Sequence, residues 1–440
     1  MGGVISKRLN QGIIDLKQLE DLRKAKLLQI GVFVIGILLI LLLFIWSYTK
    51  ITLKNANCST IEYNFDPSSV SDMSSLSINE KMSDPDNMTD YGDDQDISQG
   101  KNKRKKVGDY RLRDFYIKTA YNCCASGSYS HDFVDMCALE NCIKLGARCL
   151  DFEIYSFDGK PIIAVSSEDD YHIKETYNYL DFNSVMEKIR DMAFNGSTDS
   201  AGNVAKDPMI LHFRLKTTNE DVFNTMAESI YNNFSDKMLS RQYSYEYNGK
   251  DLGNAKIKDL VGKIVIIVNK VNDSNSVNDS NSGINIENTK LYEYVNIING
   301  IGFENMRFYR LDKAKLSGDI EEIKNYNKER LSIVLPNKSN IPSNIDWREM
   351  SHKGNPRDPA GIEGYGVQFI GQCFQYKDAF LEQYHNDFNK RGGAFVLKPK
   401  LLRKDNPTVV IEIDTTTAKN LENSGANLQE GGLLFNTNTQ

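Results

Sequence analysis

Hydrophobic and polar positions divide the chain into three regimes. Residues 30–46 are apolar or glycine throughout, and no charge falls between Lys26 and Lys50. That run predicts a helix able to cross the hydrocarbon core over residues 27–48, with Trp46 and Tyr48 suited to the interface. Residues 49–109 are Ser-rich and acidic, then basic from Lys101 to Lys106. Such a segment cannot bury enough apolar surface to offset its ordering entropy, so a disordered linker is expected. From Asp114 short apolar runs alternate with amphipathic stretches of helix length. Strands are predicted at 115–120, 149–155, 161–165, 209–215, 263–268, 306–310, 331–335, 367–371 and 395–397. Helices are predicted between them at 134–145, 182–194, 221–239, 288–298 and 378–388. Strands separated by helices argue for a parallel sheet, and eight or nine such units argue for its closure into a barrel. The Asn/Ser-rich stretch 272–283 belongs in a loop, and the polar tail 405–440 is expected to be mostly disordered.

Charge and composition change this picture little. With 440 residues and a net charge of −6, the chain has no basic stripe in its folded region, so nucleic acid is not an expected partner. No cysteine pair has C-x-x-C spacing, which argues against a zinc site. Cys137, Cys142 and Cys149 read as buried thiols, with disulfides open if the domain faces an oxidising compartment. The apolar run is preceded by Lys7, Arg8, Lys17, Arg23, Lys24 and Lys26 and followed by only Lys50 and Lys54. That asymmetry places residues 1–26 in the cytosol and the rest of the chain on the lumenal or external side. Met1-Gly2-Gly3-Val4-Ile5-Ser6 fits the N-myristoylation pattern at Gly2. N-x-[ST] sequons begin at Asn57, Asn87, Asn195 and Asn233.

Residues 110–404 resemble the catalytic barrel of phosphoinositide-specific phospholipases C. Tyr116-Ile117-Lys118-Thr119-Ala120-Tyr121-Asn122 stands where that family has S-S-S-H-N. Gly146-Ala147-Arg148-Cys149-Leu150-Asp151-Phe152-Glu153 stands for G-C-R-C-L-E-L-D, and Asp158-Gly159-Lys160-Pro161-Ile162-Ile163 for the D-G…P-I-I run. Asp207-Pro208-Met209-Ile210-Leu211 and Leu260-Val261-Gly262-Lys263-Ile264 are similar to the next two strands. Gly366-Val367-Gln368-Phe369-Ile370 and Gly393-Ala394-Phe395-Val396-Leu397 are similar to the closing ones. The resemblance implies a TIM-type (β/α)8 barrel of the phospholipase C-like phosphodiesterase kind, behind one transmembrane helix and a linker. In layout the chain is similar to membrane-anchored phospholipase-C-like proteins of large DNA viruses, which implies a virion membrane as one location.

The resemblance breaks at the chemistry. The family's first catalytic histidine falls at Tyr121, whose phenol does not titrate near neutrality, and the second at Val165. Asn122, Asp151 and Glu153 keep part of a calcium site, but its third carboxylate falls at Arg214. A cation there is expected to pair with Asp151 or Glu153 in the metal's place. Arg214 and Lys216 remain as basic candidates for an anionic ligand. His172 and His212 are the histidines that could substitute. The expectation is a degenerate, membrane-anchored barrel without turnover and without a cofactor, binding membrane lipid, a phosphoinositide-like ligand or a protein. Its alternatives are an active phosphatidylinositol phosphodiesterase using calcium and rearranged residues, and a structural membrane protein of a virus particle.

Overall fold

The computed structural model describes residues 2–64, 107–167, 173–194, 207–247, 251–269, 285–300, 306–311, 319–337, 363–391 and 393–404, with short pieces at 95–96, 103–104, 314 and 355. His172, most of the expected linker, the 272–283 loop and the 405–440 tail lie outside them.

Helix α1 runs unbroken from Gly2 to Asn64. Within it, Gln18–Glu62 is long and apolar enough to cross a membrane, with a mean hydropathy of 3.1 over its most apolar window. Its continuation corrects the expected linker boundary: residues 49–64 are helical because they have a partner. Ile61 is buried in the barrel's core cluster. Cys58 is disulfide-bonded to Cys137, which corrects the reading of Cys137 as a free thiol. Cys142 and Cys149 are buried and free.

The strands of the main sheet are β1 (Phe115–Ala120), β2 (Cys149–Phe157), β3 (Lys160–Ala164), β4 (Leu180–Asp181), β5 (Met209–Leu215), β6 (Ile264–Asn269), β7 (Ile297–Asn299), β8 (Met306–Arg310), β9 (Leu331–Leu335), β10 (Phe369–Gln372) and β11 (Phe395–Leu397). Eight of them follow one another in parallel in the order β8-β9-β10-β1-β2-β5-β6-β7. A parallel bridge from Gly300 to Arg307 joins the two ends, so the barrel is nearly closed. The other three are additions: β3 folds back on β2, β4 on β3 and β11 on β1, all antiparallel. The expected helix at 288–298 is instead the short helix Lys290–Tyr294 followed by β7. There the β-branched Ile297 and Ile298 pair with Ile267 and Val268, and sheet pairing overrides the helical pattern.

Outside the barrel pack α2 (Met136–Lys144), α3 (Phe182–Ala193), α4 (Glu220–Phe234), α5 (Ile320–Glu329) and α6 (Ala379–Lys390). Asp135, Asp181, Asn219, Asp319 and Asp378 start these five helices by accepting from first-turn N–H groups. Side chains alternate along each strand, so Ile117, Ile210, Val265, Ile297 and Phe369 fill the lower barrel as a dry plug. Polar residues gather above it, at the carboxyl ends of the strands.

Candidate functional site at the barrel mouth

Asp151 and Glu153 lie two apart on β2, and Arg214 lies beside them on β5, where Asp151 pairs in register with His212 and Glu153 with Arg214. All four side chains therefore share the inner face. Asn122 arrives from the turn after β1 with φ at 43°, a left-handed conformation that Asn adopts more readily than most residues. Its N–H donates to Asp151 Oδ2 at 3.0 Å.

Arg214 is the centre of the site. Its Nε donates to Asp151 Oδ1 at 2.9 Å and its Nη2 to Asp151 Oδ2 at 2.8 Å, a two-pronged grip on one carboxylate. Nη1 donates to Glu153 Oε1 at 2.8 Å, and Nη2 also to Asn122 Oδ1 at 2.5 Å. The guanidinium carbon stands 4.9 Å from the centre of the Tyr121 ring. Asp151, Glu153 and Tyr121 are 0% exposed and Arg214 is 4% exposed, so the cluster is sealed from solvent.

The surroundings complete it. Glu153 Oε2 accepts from the Tyr155 hydroxyl at 2.6 Å and from the Ser166 N–H at 3.1 Å. His212 Nδ1 lies 2.7 Å from Asp151 Oδ1, and its Nε2 meets the Asn299 amide at 3.1 Å. Burial alone would raise the Asp151 carboxyl, but Arg214 and then His212 outweigh it and hold it below the usual carboxylate range. Burial would lower the Arg214 guanidinium, but Asp151 and Glu153 raise it further above its ordinary value. Arg214 thus holds Asp151 in its ionised form and offsets part of the negative charge of the two carboxylates. Burial likewise pushes up the thiols of Cys123 and Cys142, which makes them poor nucleophiles.

Residues 109–270 match the family model for the phosphatidylinositol-specific phospholipase C X domain. In fold the barrel is similar to that of phospholipases C. Among solved structures it is similar to PLC21 of L. pealei, with 19% identity over 68% of this chain and 38% of that one, at a TM-score of 0.51. It is similar in the same way to PLC21 of S. officinalis, with 18% identity over 68% of this chain and 38% of that one, at a TM-score of 0.50. The phosphatidylinositol-specific phospholipase C of Listeria monocytogenes shares 13% identity over 64% of this chain and 94% of its own, at a TM-score of 0.37. This chain thus spans well under two thirds of the two PLC21 proteins, and at these identities the likeness is one of fold. No curated protein sequence matches the chain.

The phospholipase C-like barrel brings Asn122, Asp151, Glu153 and Arg214 together. Tyr121 is buried beside them, and its hydroxyl accepts from Arg310 Nη1 at 3.4 Å. Val165 is buried immediately before Ser166. Lys216 is buried just past β5, where its N–H donates to the Ile154 carbonyl. Sequence reasoning missed Tyr155, Ser166, Asn299 and Arg310. Only Arg310 left a signal, since it shares the inward parity of Met306 and Phe308 on β8.

These residues do not fit calcium. The ion needs six or more oxygens around a point, and the oxygens of Asn122, Asp151 and Glu153 already accept from a guanidinium lying between them. A hollow of about 1070 Å³ lies at the opposite end of the barrel. Its charges are largely paired, as in Arg307 with Glu322 and Lys404 with Glu329, so it is not selective for an anion.

Proposed function

We propose that this chain is a membrane-anchored phospholipase C-like protein that has given up turnover and acts by binding. The observation that carries the reading is the four-bond grip of Arg214 on Asn122, Asp151 and Glu153. Phosphodiester cleavage by a barrel of this kind needs a proton acceptor within reach of the reacting hydroxyl and an electropositive centre facing the phosphate. Here the electropositive centre is buried with its donors directed at protein oxygens, and Tyr121 and Val165 supply no base. The long apolar segment of α1 supports anchoring. The basic residues before it support a cytosolic N-terminus and a lumenal or external barrel.

The test is headgroup release from vesicles of phosphatidylinositol and its bisphosphate by the full chain, with calcium and with chelator. Release no greater than from vesicles without protein is expected in both conditions, and turnover in either would sink the reading. A second reading, an active phosphodiesterase, draws on the 2.7 Å contact between His212 and Asp151. In it, release would persist in Tyr121→Phe and vanish in His212→Asn.

A further inference from the structure

One face of α1 is fastened to one end of the barrel. The Trp46 and Tyr177 rings meet edge to face at 5.8 Å. Lys50 lies 5.1 Å above the Tyr177 ring and donates to the His131 carbonyl at 3.4 Å. Lys54 pairs with Asp135 at 3.2 Å, Asn57 donates to Asp132 at 2.9 Å, and Cys58 is bonded to Cys137. Ile61 is buried beyond them. Positions 46, 50, 54, 57, 58 and 61 follow three- and four-residue steps and so share one helix face. Their partners sit in the segment joining β1 to α2 and the segment joining β3 to β4, or on the first turn of α2. These are all at the mouth end of the barrel.

This fixes depth as well as contact. Trp46 closes the apolar run, at the level where aromatic side chains meet headgroups, and Tyr177 touches it. The same edge exposes Phe157 (52%), Ile173 (78%) and Tyr179 (41%). Phe157 and Tyr179 are in ring contact at 5.1 Å, and Lys174 lies 6.0 Å from Tyr179. Exposed aromatic and aliphatic side chains among lysines suit the zone between hydrocarbon and water.

We propose that the fastened face of α1 holds the barrel mouth-down on the bilayer that α1 itself crosses, with the Phe157, Ile173, Tyr177 and Tyr179 edge in the headgroup layer. This rests on the anchored reading above. The occupant of the exposed edge is then the chain's own membrane.

The test places a fluorophore at Ile173→Cys or at Leu401→Cys in the full chain, reconstituted into phosphatidylcholine vesicles. All five free cysteines are buried and are spared by the label. Leu401 is 85% exposed at the opposite end of the barrel. Phospholipid carrying a headgroup spin label is expected to quench the label at 173 several-fold more than that at 401, with the order reversed for aqueous iodide. Equal quenching at the two sites, or the opposite order, overturns the orientation. Alkaline carbonate extraction of the same vesicles reads the anchor separately. A chain that washes off overturns the anchored reading, whereas one that stays while 173 answers only to iodide overturns the orientation alone.

Discussion

Arg214 sits between two fully buried carboxylates, so each of these neighbours depends on it. Arg214→Met leaves Asp151 and Glu153 buried without their cation. Breaking one side of such a buried pair costs about 3–5 kcal/mol, to be read from the denaturant midpoint of the full chain in detergent. Arg214→Glu restores a third carboxylate beside Asn122, Asp151 and Glu153. That variant is expected to be less stable than the parent in chelator and to recover with calcium. The recovery should be about 2.7 kcal/mol at a hundredfold excess over the dissociation constant. The parent midpoint should be the same with calcium and with chelator, and a calcium-dependent rise would refute the assignment of Arg214. The pairing itself was legible, because Asp151 and Glu153 share a face and Arg214 falls where a ligand is missing. The saturation of Glu153 by Tyr155 and Ser166, and the hold of His212 on Asp151, were not. Strand parity gives the face of a side chain, but neither its depth nor its partner across the barrel.

At the scale of elements, β1, β5, β8, β9 and β11 fall where alternation and turn residues place them. The failures have one cause, a contact distant in sequence. Residues 297–299 become a strand because β6 lies alongside, and residues 49–64 stay helical because the loops at the barrel mouth lie alongside. The same contacts decide which sequons are usable. Asn57 spends its amide on Asp132, and Asn233 lies inside α4 with its amide on Asn183 and the Ser229 carbonyl. Expression through a secretory pathway should therefore give the same glycan-dependent gel mobility for Asn57→Gln and Asn233→Gln as for the parent. Loss of a glycan from either variant would show that these segments open before they pack. Cys58→Ser removes a link across a sequence separation of 79 and is expected to speed amide exchange over residues 131–139. Unchanged exchange there would mean that the remaining contacts of α1 hold the joint alone.

For the molecule as a whole, buried bases set the response to pH. Burial pushes the Lys118 ammonium down to about 7, and burial likewise brings Lys398 down to about 7 against the partial support of Asp114. Burial lowers His385 well below its ordinary value, with Lys118 adding to the shift. Between pH 7 and about 8 the unfolded chain keeps protons on both lysines that the folded chain has released, so stability rises with pH; above that the buried thiols, which lose protons only on unfolding, act the other way. Each lysine contributes up to about 1.4 kcal/mol per pH unit in that window. His385 acts in the same direction below about pH 6.5, the range where its unfolded form takes up a proton. The thermal midpoint should climb from pH 7 to 8, with Lys118→Met flattening the climb by at least half. A midpoint that falls over that range would mean the lysines are charged in the fold. The unbroken course of α1 has a mechanical consequence. A flexible tether would let the barrel swivel, but on the anchored reading proposed above a rod that both crosses the bilayer and grips the barrel makes their azimuths one quantity. One residue inserted between Trp46 and Lys50 would turn the barrel by about 100° and raise it by about 1.5 Å, whereas seven would nearly restore its heading about 10 Å further out. Rotation of the helix about its own axis is thus rotation of the barrel, and tilt of the helix is tilt of the mouth.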